Sequence, residues 1–132
     1  MIQVEDSAEV LAVKDVEKEQ PIPSAWRSVF RDVIHAFVKK DYQLSVGVSG
    51  VAPISNDTAS QIQSYIQEYG ETLVELPEET WRSSVCIWMG SHWDALIDLW
   101  TLTEGRSDLV LSAKVSESDH CFLFHINMVY VP

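Results

Sequence analysis

Three side chains in the last third of the sequence are of the types that acid–base chemistry uses. Asp94 and Asp98 fall on the same face of one expected strand, and the phase of a later strand points His125 to that face as well. A carboxylate can orient an imidazole, which ordinarily titrates near neutral pH, so that the pair transfers protons. Aspartates at this spacing also occur on ordinary solvated strands. Asp94, Asp98 and His125 are therefore the candidate catalytic residues of an alternative, enzymatic interpretation.

Metal-ligating residue types occur here without the spacing of a metal centre. His92 precedes Asp94 by two positions, and His120 is followed by Cys121 and by His125. A closed metal site needs three or four such groups at set intervals, which these residues do not provide. We expect no bound metal and no cofactor.

These residues lie in a region, Ser84–Pro132, where apolar and polar residues alternate through four short runs. Successive side chains of a strand point to opposite faces, so this alternation predicts strands with one buried face. Gly, Ser and Asp between the runs favour tight hairpins and a meander, and Glu71–Leu76 before Pro77 could add an edge strand. The side chains expected to face the core are Val85, Ile87, Met89, Trp93, Ala95, Ile97, Leu99, Leu109, Leu111, Ala113, Val115, Phe122, Phe124, Ile126, Met128 and Tyr130.

The opposite face of the predicted sheet is more apolar than solvent exposure requires. By the same parity it has Trp88, Leu96, Trp100 and Leu123 among acidic residues. That composition is typical of protein interfaces and of ligand pockets. Three interpretations stay open: another part of the chain covers the face, a protein binds it, or it lines a small-molecule pocket. These four residues form the predicted binding surface.

Two helices are expected ahead of the sheet. Apolar residues recur at helical spacing from Trp26 to Val38, with charged residues on the other side, and Ser24 is expected to cap this helix. A weaker helix is expected from Thr58 to Tyr69, ending at Gly70. The fold class that follows is α+β, with two N-terminal helices packed on one face of a four- to five-stranded antiparallel meander sheet.

The first twenty residues differ from the rest. Residues 1–20 are rich in Asp and Glu and their few apolar residues keep no period, which predicts an acidic, flexible arm ahead of a single domain over residues 21–132. No signal peptide or membrane-spanning apolar run is recognisable, so a cytoplasmic location is expected. Cys86 and Cys121 form no Cys-x-x-Cys pair, which fits a reducing compartment with both as thiols.

The charge is strongly negative. Twenty acidic residues against nine basic ones give a formal net charge of −11, which disfavours binding to nucleic acid or to anionic membranes. Glu71, Glu75, Glu78 and Glu79 form an acidic patch that could face a basic protein partner. Such a run is more commonly a solvated surface.

Several segments resemble a known group of proteins. Ile22–Tyr42, His92–Trp100, Gly105–Leu109 and Met128–Pro132 resemble small acidic bacterial proteins grouped as a family of unknown function, a likeness that covers most of the chain after residue 20. It implies a bacterial cytosolic protein and transfers no catalytic residue.

A looser similarity is to the cone-shaped α+β fold of nuclear transport factor 2 and its relatives. In both, helices precede a curved sheet and an aspartate, here Asp41, closes the first helix. That family includes enzymes with a polar pocket and plain dimerisation modules. This sequence departs from it because only two helices are expected.

The function expected from the sequence is that of a non-enzymatic protein-interaction or dimerisation module with an acidic, Trp-bearing surface. Its partner would be a second copy or a basic protein. The alternative is a small-molecule binder or enzyme with a pocket of the nuclear transport factor 2 type, lined by Asp94, Asp98 and His125.

Overall fold

A computed structural model describes residues 9–132, and within that range the chain is an α+β fold with two α-helices and one five-stranded antiparallel sheet. The helices precede most of the sheet, and a short 3₁₀ helix, Glu78–Arg82, leads into it. The elements in chain order are β1 (Gln20–Pro21), α1 (Ser24–Val38), α2 (Asn56–Tyr69), β2 (Val85–Trp88), β3 (Trp93–Thr101), β4 (Gly105–Ser118) and β5 (Cys121–Tyr130).

The strands follow one another in the sheet in chain order, as a meander of hairpins requires. The fifth strand is β1 at the edge of β2, rather than the Glu71–Leu76 segment. Within that segment Leu73 makes only an isolated bridge to Thr101. Pro77 then ends the extended run, because proline cannot donate to a sheet ladder.

The core lies on the face of β3 and β4 that the alternation predicts. Along β3, Trp93, Ala95, Ile97 and Leu99 are each at most 1% exposed, while the residues between them are half-buried. Aromatic rings of α1 contact this face: the ring centroid of Trp26 lies 5.3 Å from that of Trp93. Burial of each such side chain contributes on the order of 2 kcal/mol to folding.

The phase predicted for β2 is wrong. Cys86 pairs with Ala95 and Trp88 pairs with Trp93, and directly paired residues of an antiparallel ladder point to the same face. Cys86 and Trp88 therefore lie on the core side, whereas Val85 and Ile87 point outward. The strand has four residues, all apolar in character, so its alternation does not distinguish the two faces.

The phase predicted for β5 holds only for its first half. Ile126 pairs with Ala113, but the next pair is Met128 with Ser112, so Asn127 is an extra residue that forms a β-bulge. Beyond the bulge the faces are exchanged: Val129 is fully buried and Met128 is 36% exposed. Met128 and Tyr130 were expected to face the core and do not.

The helix ends use local chemistry that differs partly from expectation. Ser24 does not cap α1, which begins after Pro23; its hydroxyl instead accepts a hydrogen bond from the Val10 N–H at 2.8 Å. α1 closes with Lys40 in the left-handed region at φ 67°, and the N–H of Asp41 donates to the Ala36 carbonyl at 2.8 Å. That pair of features is the Schellman closure.

The second helix ends as predicted. α2 is capped by Ser55, whose hydroxyl accepts from the Thr58 N–H, and stops at Gly70 in the left-handed conformation at φ 83°.

Between the helices, the Asp41 carboxylate accepts from the N–H and the hydroxyl of Ser45. The Ser45 N–H is the main reason that the pKa of Asp41 is held below its ordinary value.

Both edges of the sheet are occupied. On the β5 side, Phe124 exchanges backbone hydrogen bonds with Gly50 and Ala52, each at 2.8 Å. Further along, the Gln61 amide donates to the Val129 carbonyl at 2.6 Å and accepts from the Val129 N–H at 3.3 Å. β1 covers the edge of β2. Paired edges leave few free backbone groups for strand addition by another chain.

The expected flexible arm falls partly outside the described residues, which begin at residue 9. The rest of the arm bonds to the domain: the Trp93 indole N–H donates to the Val13 carbonyl at 2.9 Å, and Val16 makes a parallel bridge to Trp88. Nζ of Lys14 lies 3.3 Å from Oε1 of Glu117 and over the Trp88 ring. The division of the chain at residue 20 stays a prediction.

Candidate interaction surface

The outer face of the sheet is the surface opposite the core. The strand pairing gives its members, because paired residues share a face. It consists of three rows that cross the strands, namely Ile87–Asp94–Lys114–His125, Val85–Leu96–Ser112–Met128 and Asp98–Val110–Tyr130. A register shift between β3 and β4, past Asp98, follows the third row, and the β5 bulge at Asn127 lies between the first row and the second.

Apolar side chains on and beside this outer face are open to solvent. Met128 and Leu123, both in β5, are 36% and 51% exposed, and Met89 at the turn after β2 is 52% exposed. Leu96 and Ile87 are half-buried, and Val110 is buried among its neighbours. The charged residues Asp94 and Lys114 lie next to this apolar strip. An apolar centre beside paired charges is a composition suited to protein contact.

Only part of the predicted binding surface lies together on the outer face. Leu96 is at its centre, opposite Ser112, whereas Leu123 is opposite Ser116. Four residues along β4 separate these two positions by about 13 Å. Trp88 lies on the other side of the sheet, against Trp93. The surface is therefore centred on Leu96, without Trp88.

Trp100 is held in place at one end of the face. Its ring lies against Gly105, so closely that a Cβ there would come within 3.4 Å of a ring carbon. Gly105 has φ 76°, a left-handed conformation that glycine adopts without strain. The Trp100 ring is half-buried, and its N–H has no partner among residues 9–132. Trp100 is thus only partly open to solvent.

The candidate catalytic residues share the outer face but do not converge. Asp94 and His125 stand on either side of Lys114 in one row, two strand spacings apart, which is about 10 Å. Asp98 lies in a different row and lines an open cleft of about 500 Å³ with Arg106. Asp94 and His125 are not among the residues lining that cleft. Proton transfer among the three would need hydrogen-bond reach, which this spacing does not give.

The acidic patch is largely bonded within the chain. Glu78 pairs with Arg31, and Glu71 accepts a hydrogen bond from the Thr103 hydroxyl. The Glu75 carboxylate lies 2.8 Å from Nδ1 of His35. Arg31 also lies over the ring of Trp81. These carboxylates are engaged with neighbouring side chains, which reduces their availability to a basic partner.

No metal-binding cluster of three or more His, Cys, Asp or Glu side chains occurs within the described residues. Of the candidate ligands named from the sequence, His92 and Asp94 form a pair, with Nε2 of His92 lying 3.3 Å from Oδ1 of Asp94. Cys86 and Cys121 are free thiols, the first buried and the second exposed. Burial raises the pKa of the Cys86 thiol to about 11, so Cys86 is an uncharged packing residue at neutral pH.

Sequence reasoning missed four apolar members of the outer face: Val85, Ile87, Met128 and Tyr130. The alternation of side chains predicts each of them on the core face, because each lies an even number of positions from other large apolar residues of the same run. Residues 128–131 are apolar without alternation, so they hold no information on phase. The bulge at Asn127, which decides that phase, is fixed by pairing with β4.

Among residues 9–132, no helix is of the length and hydropathy that crossing a bilayer requires.

A family model described as a domain of unknown function (DUF7668) matches residues 34–132. Neither a curated protein nor a solved structure matches the chain. The similarity to the nuclear transport factor 2 fold therefore stays a prediction.

Proposed function

The chain belongs to the family of domains of unknown function DUF7668, and from that premise we propose that it is a non-enzymatic dimerisation module. Its interface is the outer face of the sheet, centred on Leu96, and its partner is a second copy of the same chain. The single observation that supports this proposal most is an outer face with solvent-exposed apolar side chains between charges of both signs.

The edges and the core side of the sheet support the choice of this face, because other parts of the chain occupy them. The edges of the sheet are paired by β1, by residues 50–52 and by Gln61, so strand addition is disfavoured. We also infer that both helices cover the core side of the sheet. The contact of Trp26 with Trp93 and the bonds of Gln61 to Val129 support that inference.

The charge of the outer face favours a second copy over a basic protein. The chain as a whole has a net charge of −11, but the Ile87–Asp94–Lys114–His125 row of the face places Asp94 directly opposite Lys114. Because this row is close to electrically balanced, it does not attract a strongly basic surface. A bacterial origin and a cytoplasmic location stay predictions from the sequence.

The proposal is tested by placing a charge at the centre of the outer face. Leu96→Asp is expected to lower the association constant of the dimer at least about tenfold, because it would place a desolvated carboxylate in the apolar part of the interface. The measurement is sedimentation equilibrium of the wild-type and variant proteins, with circular dichroism to check folding.

The matched control is Val46→Asp. Val46 lies in the loop between α1 and α2 and is 94% exposed, and this variant likewise replaces an aliphatic side chain by Asp. Wild-type association is expected to survive this control. Equal association of the Leu96 and Val46 variants would refute the interface, as would a wild-type protein that stays monomeric at high concentration.

A further inference from the structure

We propose that the second copy binds about a twofold axis that runs along the strands between β3 and β4, so that Asp94 of each copy meets Lys114 of the other. This inference rests on the proposed dimerisation function and specifies the orientation of the partner. It is argued from the two residues, from the rows beside them and from the geometry of twofold symmetry.

The first support is the pairing of opposite charges across the hairpin. Asp94 and Lys114 are directly opposite on neighbouring strands and both point outward. Lys114 is exposed and has no ion-pair partner among residues 9–132. Asp94 contacts His92 at 3.3 Å and keeps its second carboxylate oxygen available. Among residues 9–132, Lys114 is thus the basic residue of the Ile87–Asp94–Lys114–His125 row without an anionic partner.

The second support is a matching pair at the end of the hairpin. Trp100 is opposite Arg106, the one a half-buried aromatic ring and the other an exposed cation. Arg106 likewise forms no ion pair within the described part of the chain. A guanidinium group placed against an indole is favourable. In both pairs, Asp94–Lys114 and Trp100–Arg106, the side chain on β3 complements the side chain opposite it on β4.

Twofold symmetry selects the axis. In a dimer of two identical copies, residue i contacts residue j and residue j contacts residue i. An axis along the strands between β3 and β4 exchanges these two strands, which gives two Asp94–Lys114 contacts. An axis along the Ile87–Asp94–Lys114–His125 row itself would place Asp94 against Asp94 and Lys114 against Lys114. Like charges at such contacts disfavour that alternative.

The extent of the outer face limits the strength of the dimer. β3 has nine residues, which is about 30 Å of strand, and four neighbouring strands span about 19 Å. The face is therefore on the order of 600 Å² per copy, at the low end of specific interfaces. A weak dimer in the micromolar range is expected, which makes its association constant measurable by sedimentation.

The test is a charge reversal of each partner and a mixture of the two variants. Asp94→Lys alone and Lys114→Asp alone are each expected to weaken the homodimer at least about tenfold, because each replaces two attractive contacts by two repulsive ones. An equimolar mixture of the two variants is expected to recover association to within about threefold of wild type. One variant is labelled with a fluorophore so that the mixed dimer is measured directly in about 0.15 M salt.

Two controls separate pairing from net charge and from folding. Asp32→Lys and Lys39→Asp make the same charge changes at exposed positions, the first in α1 and the second just after it, and neither is expected to alter association. The double variant Asp94→Lys/Lys114→Asp has the wild-type net charge and is expected to form a homodimer again.

The outcomes distinguish this inference from the proposed function. If the wild type dimerises and Leu96→Asp abolishes the dimer, but folded single reversals have no effect or the mixture fails to recover, then the face is correct and the orientation is wrong. If the wild type does not dimerise, both are wrong. Recovery in the mixture and in the double variant, with unchanged controls, establishes the pairing.

Discussion

The indole rings of Trp88 and Trp93 pack together with their centroids 4.6 Å apart, on the core side of the sheet. Lys14 from the N-terminal segment lies over both rings, 5.1 Å from the centroid of Trp88 and 5.9 Å from that of Trp93. This cluster joins residues before β1 to the hairpin of β2 and β3. Trp88 therefore stabilises the fold and takes no part in the outer face.

Trp88→Ala is expected to lower the free energy of unfolding by about 2 kcal/mol and to leave dimerisation unchanged. The loss arises from the contact with Trp93 and from the cation–π contact with the Lys14 ammonium. Urea unfolding followed by circular dichroism measures the first quantity, and sedimentation measures the second. Met89→Ala, at an exposed neighbouring position, is the control, with an expected change within about 0.5 kcal/mol. A stable Trp88 variant that no longer dimerises would contradict this assignment.

The strands show why the buried face of a strand was predictable from the sequence in some places and not in others. β3 alternates strictly over nine residues, so its buried set followed from the sequence. β2 has only four residues and was assigned the opposite phase, because Val85 and Ile87 are as apolar as Cys86 and Trp88. Its true phase is set by pairing with β3, which is a tertiary constraint.

Gln61 is expected to protect the free edge of β5. Its side-chain amide bonds both the carbonyl and the N–H of Val129, as a neighbouring strand would. Gln61→Ala removes two hydrogen bonds and is expected to lower the free energy of unfolding by about 1–2 kcal/mol. Hydrogen exchange of the Val129 amide is expected to accelerate.

The control for that change is Gln63→Ala, on the exposed side of the same helix. It has the same helix propensity effect without a bond to β5. If the two variants have equal stability and equal exchange at Val129, the bridging role of Gln61 is wrong.

Stability at high pH is expected to depend on Cys86. Burial raises the pKa of its thiol to about 11 in the folded protein, above its ordinary value near 9. A raised pKa gives a contribution that is complete below the unfolded pKa and is lost as the pH rises through the folded one. The free energy of unfolding is therefore expected to fall by up to about 3 kcal/mol between about pH 9 and pH 11.

Urea unfolding of the wild type and of Cys86→Ala over that range measures this dependence. The pKa of Tyr42 is also raised by burial, so both proteins are expected to lose stability, and the difference between them isolates the thiol. Parallel curves for the two proteins would show that Cys86 does not contribute. Alkylation at pH 8 is expected to modify the exposed Cys121 and to spare Cys86 in the folded protein.

The candidate site was predictable in its location but not in its membership. The outward position of Leu96 followed from the alternation of β3, and so did that of Asp94. Met128 joined the surface because the bulge at Asn127 exchanges the faces of β5. A bulge depends on the partner strand and leaves no reliable mark in a run as apolar as residues 128–131.

The central claim, that the outer face joins two copies of the chain, is tested most directly by the mass of the wild-type protein in solution. Sedimentation equilibrium over a concentration series from about 1 µM to about 500 µM covers the range expected for an interface of this size. The weight-average mass is expected to rise from 14.9 kDa towards twice that value. A mass that stays at 14.9 kDa across the whole series would contradict the account.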